Sequence, residues 1–109
     1  MVRNPVNNLY DAVGLVVQQL NIANGDSDQE LTMRILKLVE ETGEAVQAWI
    51  GVKGQNPRKG ITHTREQVIS ELADVVITAL VAMESLGGNI DTVMSTRACR
   101  VVCRIDATP

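Results

Sequence analysis

An all-α four-helix bundle is the fold class that this 109-residue sequence predicts, on three observations. Apolar residues recur at alternating three- and four-residue spacing along the chain, the period of an amphipathic helix. Helix-opening signatures stand ahead of these stripes, and glycines close them off. No Ser/Gly-rich linker, low-complexity tract or internal repeat interrupts the pattern, so residues 1–109 read as a single helical domain.

The first helix is expected to open with Asn4 as N-cap and Pro5 at its first position, where the missing N–H of proline costs nothing. Its stripe is Val6, Leu9, Val13, Val16 and Leu20, and it stops by Asn24 and Gly25. Ser27-Asp28-Gln29-Glu30 has the form of a capping box and starts the second helix. There Leu31, Ile35, Leu38, Ala45 and Trp49 make an apolar stripe that runs to Gly51. From Gly51 to His63 the density of glycine and proline predicts a loop. Thr64-Arg65-Glu66-Gln67 is a second capping box, and its helix continues to Leu86 before Gly87 and Gly88. A last helix, roughly Asn89 to Ile105, carries Ile90, Met94, Val101 and Ile105 on one side.

Composition narrows the function classes. With no Phe, one Trp and one Tyr, the core must come from aliphatic side chains, and a base-stacking surface for single-stranded nucleic acid lacks its usual residues. A net charge of −3 argues against a non-specific nucleic-acid binder. No charge-free run is long enough to cross a bilayer, and no signal peptide opens the chain, so no membrane partner and a cytoplasmic location are expected. Cys99 and Cys103, four apart, read as reduced thiols, because a single His leaves too few N and S ligands for zinc.

The third helix is apolar all round: Leu72, Val75, Val76, Ile77, Leu80, Val81 and Met83 encircle its axis. A helix of that kind is buried on all sides, and three neighbours of this length cannot enclose it. A second chain is expected to cover the remaining side, as a homodimer or homotetramer.

Five of the thirteen acids fall in two clusters on the two middle helices. Glu40, Glu41 and Glu44 form E-E-x-x-E, and Glu71 and Asp74 form E-x-x-D. Spacing of three sets side chains one turn apart on one side of a helix. Glu41 and Glu44 lie opposite the arc of Leu31, Ile35, Val39, Val46 and Trp49, while Glu71 and Asp74 interrupt an apolar cylinder. Unpaired charge is costly there, so positive charge from another segment or from an ion must meet it. Carboxylates converging from two antiparallel helices make an all-oxygen site suited to Mg²⁺ or Mn²⁺. A solvated acidic face explains E-E-x-x-E alone, but it explains Glu71 and Asp74 badly.

Positive charge is placed in complement. Lys53, Arg58, Lys59 and Arg65 crowd an acid-free stretch, and Arg97, Arg100 and Arg104 recur along the last helix. Metal-bound polyphosphate needs such cations around its outer oxygens.

E-E-x-x-E followed after twenty-six residues by E-x-x-D, within LVEETGEAVQAWIG and ISELADVVITAL, resembles the MazG-like all-α nucleoside triphosphate pyrophosphohydrolases. The resemblance covers about Leu31 to Leu86. It implies Mg²⁺-dependent hydrolysis of a ribo- or deoxyribonucleoside triphosphate to the monophosphate and pyrophosphate on an oligomeric bundle. By motif position Glu41, Glu44, Glu71 and Asp74 are the expected metal ligands, and Glu40 a group behind the ligands or the base that orients the attacking water. Family members often carry Lys followed by Asn or Asp on the last helix; here Arg97 and Arg100 stand as candidates, with Lys53, Arg58 and Lys59, for the phosphates. Trp49, one turn beyond the acids, is the candidate to stack a base, although a lone Trp in a stripe is more often core. The competing expectation is a non-catalytic helical metal-binding or regulatory interaction module.

Overall fold

A computed structural model describes residues 8–107 as four helices: α1 (Leu9–Asn24), α2 (Asp28–Lys53), α3 (Arg65–Ser85) and α4 (Ile90–Asp106). No described residue lies in a strand. Asn4, Pro5 and Val6 lie outside the described residues. The described part of α1 is capped by Asn8, whose side-chain oxygen accepts from the Asp11 N–H at 2.9 Å. Ser27 Oγ caps α2 by accepting from the Glu30 N–H at 3.2 Å. The Glu30 carboxylate does not complete that box; it receives the Arg34 guanidinium instead, at 2.8 Å. Both halves of the box form at α3, where Gln67 donates to Thr64 Oγ1 and its side chain accepts from the Thr64 N–H at 2.8 Å. Asn89 caps α4 by accepting from the Thr92 N–H.

α2 and α3 form the central antiparallel hairpin, and α1 packs on α3. One end of the hairpin is fixed where Arg34, early in α2, donates to Ser85 Oγ at the end of α3 at 3.0 Å. The other is fixed where the Thr62 N–H donates to the Gly51 carbonyl at 2.9 Å. Gly51 leaves room for that return, because a Cβ there would press on the side chains of His63 and Thr62. The core is Val13 and Val17 of α1, Leu80 and Val81 of α3 and Ile90 of α4, with Tyr10, Leu20 and Met83 packed against it. Each such aliphatic side chain, once fully buried, contributes about 1.5–3 kcal/mol relative to exposure.

The inward faces differ from the expected stripes. In α1 Val17 is buried while Leu9 and Val16 are exposed. In α2 the buried positions are Arg34, Ala45, Ala48 and Gly51; Leu31 and Leu38 are half-buried, and Ile35, Val39, Val46 and Trp49 face outward. The reason is close approach. Alanine and glycine let α2 lie against α3, so the face with small residues, and with Glu41, is the one that packs. In α3 burial is confined to Leu80, Val81 and Ala82, which leaves Ile69, Leu72 and Val76 exposed. Only Ile90 of α4 is buried; Met94, Val101 and Ile105 are exposed. The radius of gyration is accordingly 17.4 Å, against about 13 Å for a compact chain of this length.

Candidate functional site

The packed face of α2 carries its acids into the hairpin seam. Oxygens of Glu41, Glu44 and Glu71 all lie within 4.8 Å of one another. The Glu41 side chain is only 13% exposed, Glu71 is half-buried, and Glu44 is at the open side. Glu71 Oε2 is buried and has no hydrogen-bond partner among the described residues. Asp74, the fourth expected ligand, is exposed one turn further along α3 and stands outside this trio. The structure thus brings together three of the four carboxylates expected to converge.

Repulsion within the trio has a titration consequence. The Glu44 carboxyl is held above the ordinary carboxylate range, first by the charge of Glu41, then by partial desolvation, then by Glu71 and Glu40, with Lys37 opposing. Lys37 is the nearby cation: its Nζ lies 3.5 Å from Glu41 and 3.8 Å from Glu40. Among the described residues no ion pair reaches Glu71 or Asp74. Glu40, the expected base, is exposed and lies beside the trio on the Lys37 side of α2.

The expected phosphate and base contacts are spread more widely. Trp49 is not core: its ring carries the Lys53 ammonium 4.6 Å and the Arg65 guanidinium 5.2 Å from its centroid. The loop from Gly54 to Thr64 holds Arg58, whose N–H donates to Asn56 Oδ1, and Lys59, both exposed. Arg97 and Arg100 stand exposed on α4, beyond its one buried residue. Compared with family models, curated proteins and solved structures, the chain matches none.

Two site residues escaped the sequence reading. His63, the only histidine of the chain, lines a recess of about 260 Å³ with Glu66, Gln67, Ser70 and Glu71, the one member of the trio that reaches it. Arg34 is buried and donates to Glu30, Asn21, Ser85 and the Gly25 carbonyl. It fixes the hairpin that presents the acids. Three carboxylates this close can share a proton or a hard cation, which is the chemistry the arrangement offers.

Proposed function

We propose that this chain is a MazG-like, Mg²⁺-dependent nucleoside triphosphate pyrophosphohydrolase that works as a homo-oligomer. The observation that carries the reading is Glu71, whose buried Oε2 has no partner among the described residues and whose carboxylate lies within 4.8 Å of those of Glu41 and Glu44. A buried oxygen in that state costs free energy unless something positive meets it. An all-oxygen donor set suits Mg²⁺ or Mn²⁺ and suits soft metals poorly.

In this reading Glu41, Glu44 and Glu71 hold the cation, and Asp74 is the further ligand that the E-x-x-D motif supplies. When bound, the cation supplies neutralisation of phosphate charge and polarisation of the phosphoryl oxygens. Glu40 orients the attacking water and takes its proton, which its solvated position beside the trio allows. Lys53 and Arg65 flank the Trp49 ring as cations for phosphate oxygens, with the ring itself as a platform for the base. Phosphoryl transfer asks little else of a protein than positioning and charge. The exposed apolar arc of α2 and the exposed side of α3 support assembly, since contiguous apolar surface of this kind marks an interface.

The test is turnover of a nucleoside triphosphate panel with Mg²⁺ and identification of the products. Monophosphate and pyrophosphate are expected; diphosphate and orthophosphate, or activity undiminished by EDTA, overturn the reading.

A further inference from the structure

We propose that Cys99 and Cys103 of α4 form a modification site, at which an acidic low-molecular-weight disulfide, the oxidised form of a carboxylate-bearing thiol, leaves a lasting mixed disulfide on the protein. The site lies on a different helix from the acids of the hairpin and does not rest on nucleotide chemistry.

Both thiols are free and exposed. Two ridges at four-residue spacing run side by side along α4 here, one of Ser95, Cys99 and Cys103, the other of Thr96, Arg100 and Arg104. Together these six residues line a shallow recess of about 530 Å³. Cys99 follows Ile90, the buried residue of α4, by nine positions, and at about 3.6 residues per turn that is two and a half turns. The thiol ridge therefore stands on the far side of the helix from the packed one. Met94, Val101 and Ile105 share the Ile90 side, so an assembly that covers them leaves the thiols in solvent.

Helix geometry decides what these thiols can do. A neighbouring cysteine ordinarily resolves a mixed disulfide by attacking it and closing an internal bridge. Residues four apart on a helix hold their Cβ atoms about 5–6 Å apart, whereas a disulfide needs about 3.5–4.5 Å. Cys99 and Cys103 cannot close on each other while α4 stays helical, so an adduct on either one persists. Charge selects the adduct. Residues 97–104 hold three arginines and no acid, and Arg100 and Arg104 line the recess beside the thiols. Of the nearest acids, Asp91 takes the Ser95 hydroxyl at 3.4 Å and Asp106 lies past Cys103 at the end of α4; neither lines the recess. Guanidinium groups recognise carboxylates in paired hydrogen bonds, so a disulfide bearing carboxylates is the reagent the recess favours. In the step itself a protein thiol gives up its proton and its sulfur attacks one sulfur of the reagent. The new S–S bond forms as the old one breaks, and the released thiolate leaves with the electron pair and takes up a proton.

The experiment treats the folded full chain, reduced and then freed of reductant, with oxidised glutathione or with cystamine, a cationic disulfide, and reads intact mass without reductant. Each rate is taken relative to the same reagent on a short uncharged cysteine peptide. Wild type is expected to accumulate a glutathione adduct at least as fully as Cys99→Ser and Cys103→Ser, and dithiothreitol to remove it. At low salt the relative rate with oxidised glutathione is expected to exceed that with cystamine by about tenfold. That preference is expected to shrink toward one at high salt, and in the variant carrying Arg100→Gln with Arg104→Gln. An adduct on the single variants, with wild type adduct-free and two hydrogens lighter, shows the pair closing on itself and overturns the site. So does a disulfide-linked dimer as the main product, a pair of thiols that does not react in the folded chain, or a relative rate indifferent to salt and to the arginines.

Discussion

Arg34 donates to Ser85 Oγ at 3.0 Å across the end of the central hairpin, and the same guanidinium reaches Asn21 Oδ1 and the Gly25 carbonyl. One side chain thereby joins α1, the turn after it, α2 and α3. The acids of α2 are held against α3 between this tie and the Gly51–Thr62 bond at the other end.

Replacing Arg34 with Met keeps bulk but strands four acceptors, and is expected to cost about 2–4 kcal/mol. Ser85→Ala is expected to cost about 1 kcal/mol, because Ser85 also bonds the Val81 carbonyl. Glu30 adds a pH signature: its hydrogen bond from Arg34 holds its carboxyl below the ordinary range. The contribution of that pair is fully present above the unfolded carboxylate range and is lost as pH falls through the depressed value. Denaturant melts of wild type and Arg34→Met are therefore expected to draw closer in acid.

Glu44 shows the opposite sign. Its folded carboxyl titrates above the ordinary value, so the native state binds the proton more tightly, and stability falls as pH rises through that window. Glu44→Gln is expected to melt higher than wild type near pH 7 without divalent metal and to coincide with it near pH 4. An unchanged melting difference across that range contradicts the repulsion.

Metal stabilisation and turnover separate the roles of the carboxylates. Wild type at a hundredfold excess of Mg²⁺ over its dissociation constant is expected to gain about 2.7 kcal/mol. Glu71→Gln is expected to lose that gain along with activity. Glu40→Gln is expected to keep most of it while turnover at saturating metal falls by about 10² to 10⁴. Thermal melts with and without Mg²⁺, beside initial rates, read both.

Trp49 is the only tryptophan, so its fluorescence reports on one place. A nucleoside triphosphate with Mg²⁺ is expected to quench it, and Lys53→Ala with Arg65→Ala to weaken the titration severalfold. Quenching unaffected by the double variant places the nucleotide elsewhere.

Helix existence was legible because caps and stops are local. Ser27, Thr64 with Gln67, Asn89 and Gly87 act within one turn of their own positions. Which face turns inward was not. Hydropathy ranks Ile35, Val39 and Val46 above Ala45, Ala48 and Gly51, yet packing two helices closely rewards the small residues. Arg34 was missed for a related reason: Glu30, four residues before it, is a local partner, but Asn21, the Gly25 carbonyl and Ser85 lie on other segments, and nothing in its neighbourhood of sequence reveals them. The acidic motifs were readable as spacing and gathered three of their members, while Asp74 shows that spacing of three does not fix distance across a seam.

Gly51 links two stretches of sequence in one direction. A side chain at that position would press on the Thr62 and His63 side chains, so a substitution at 51 is expected to need a shift or a change at 62 or 63, while changes at 62 or 63 with glycine kept at 51 meet no such barrier. Because His63 also lines a recess with Glu71, a bulkier residue at 51 would be felt by the imidazole beside the acids.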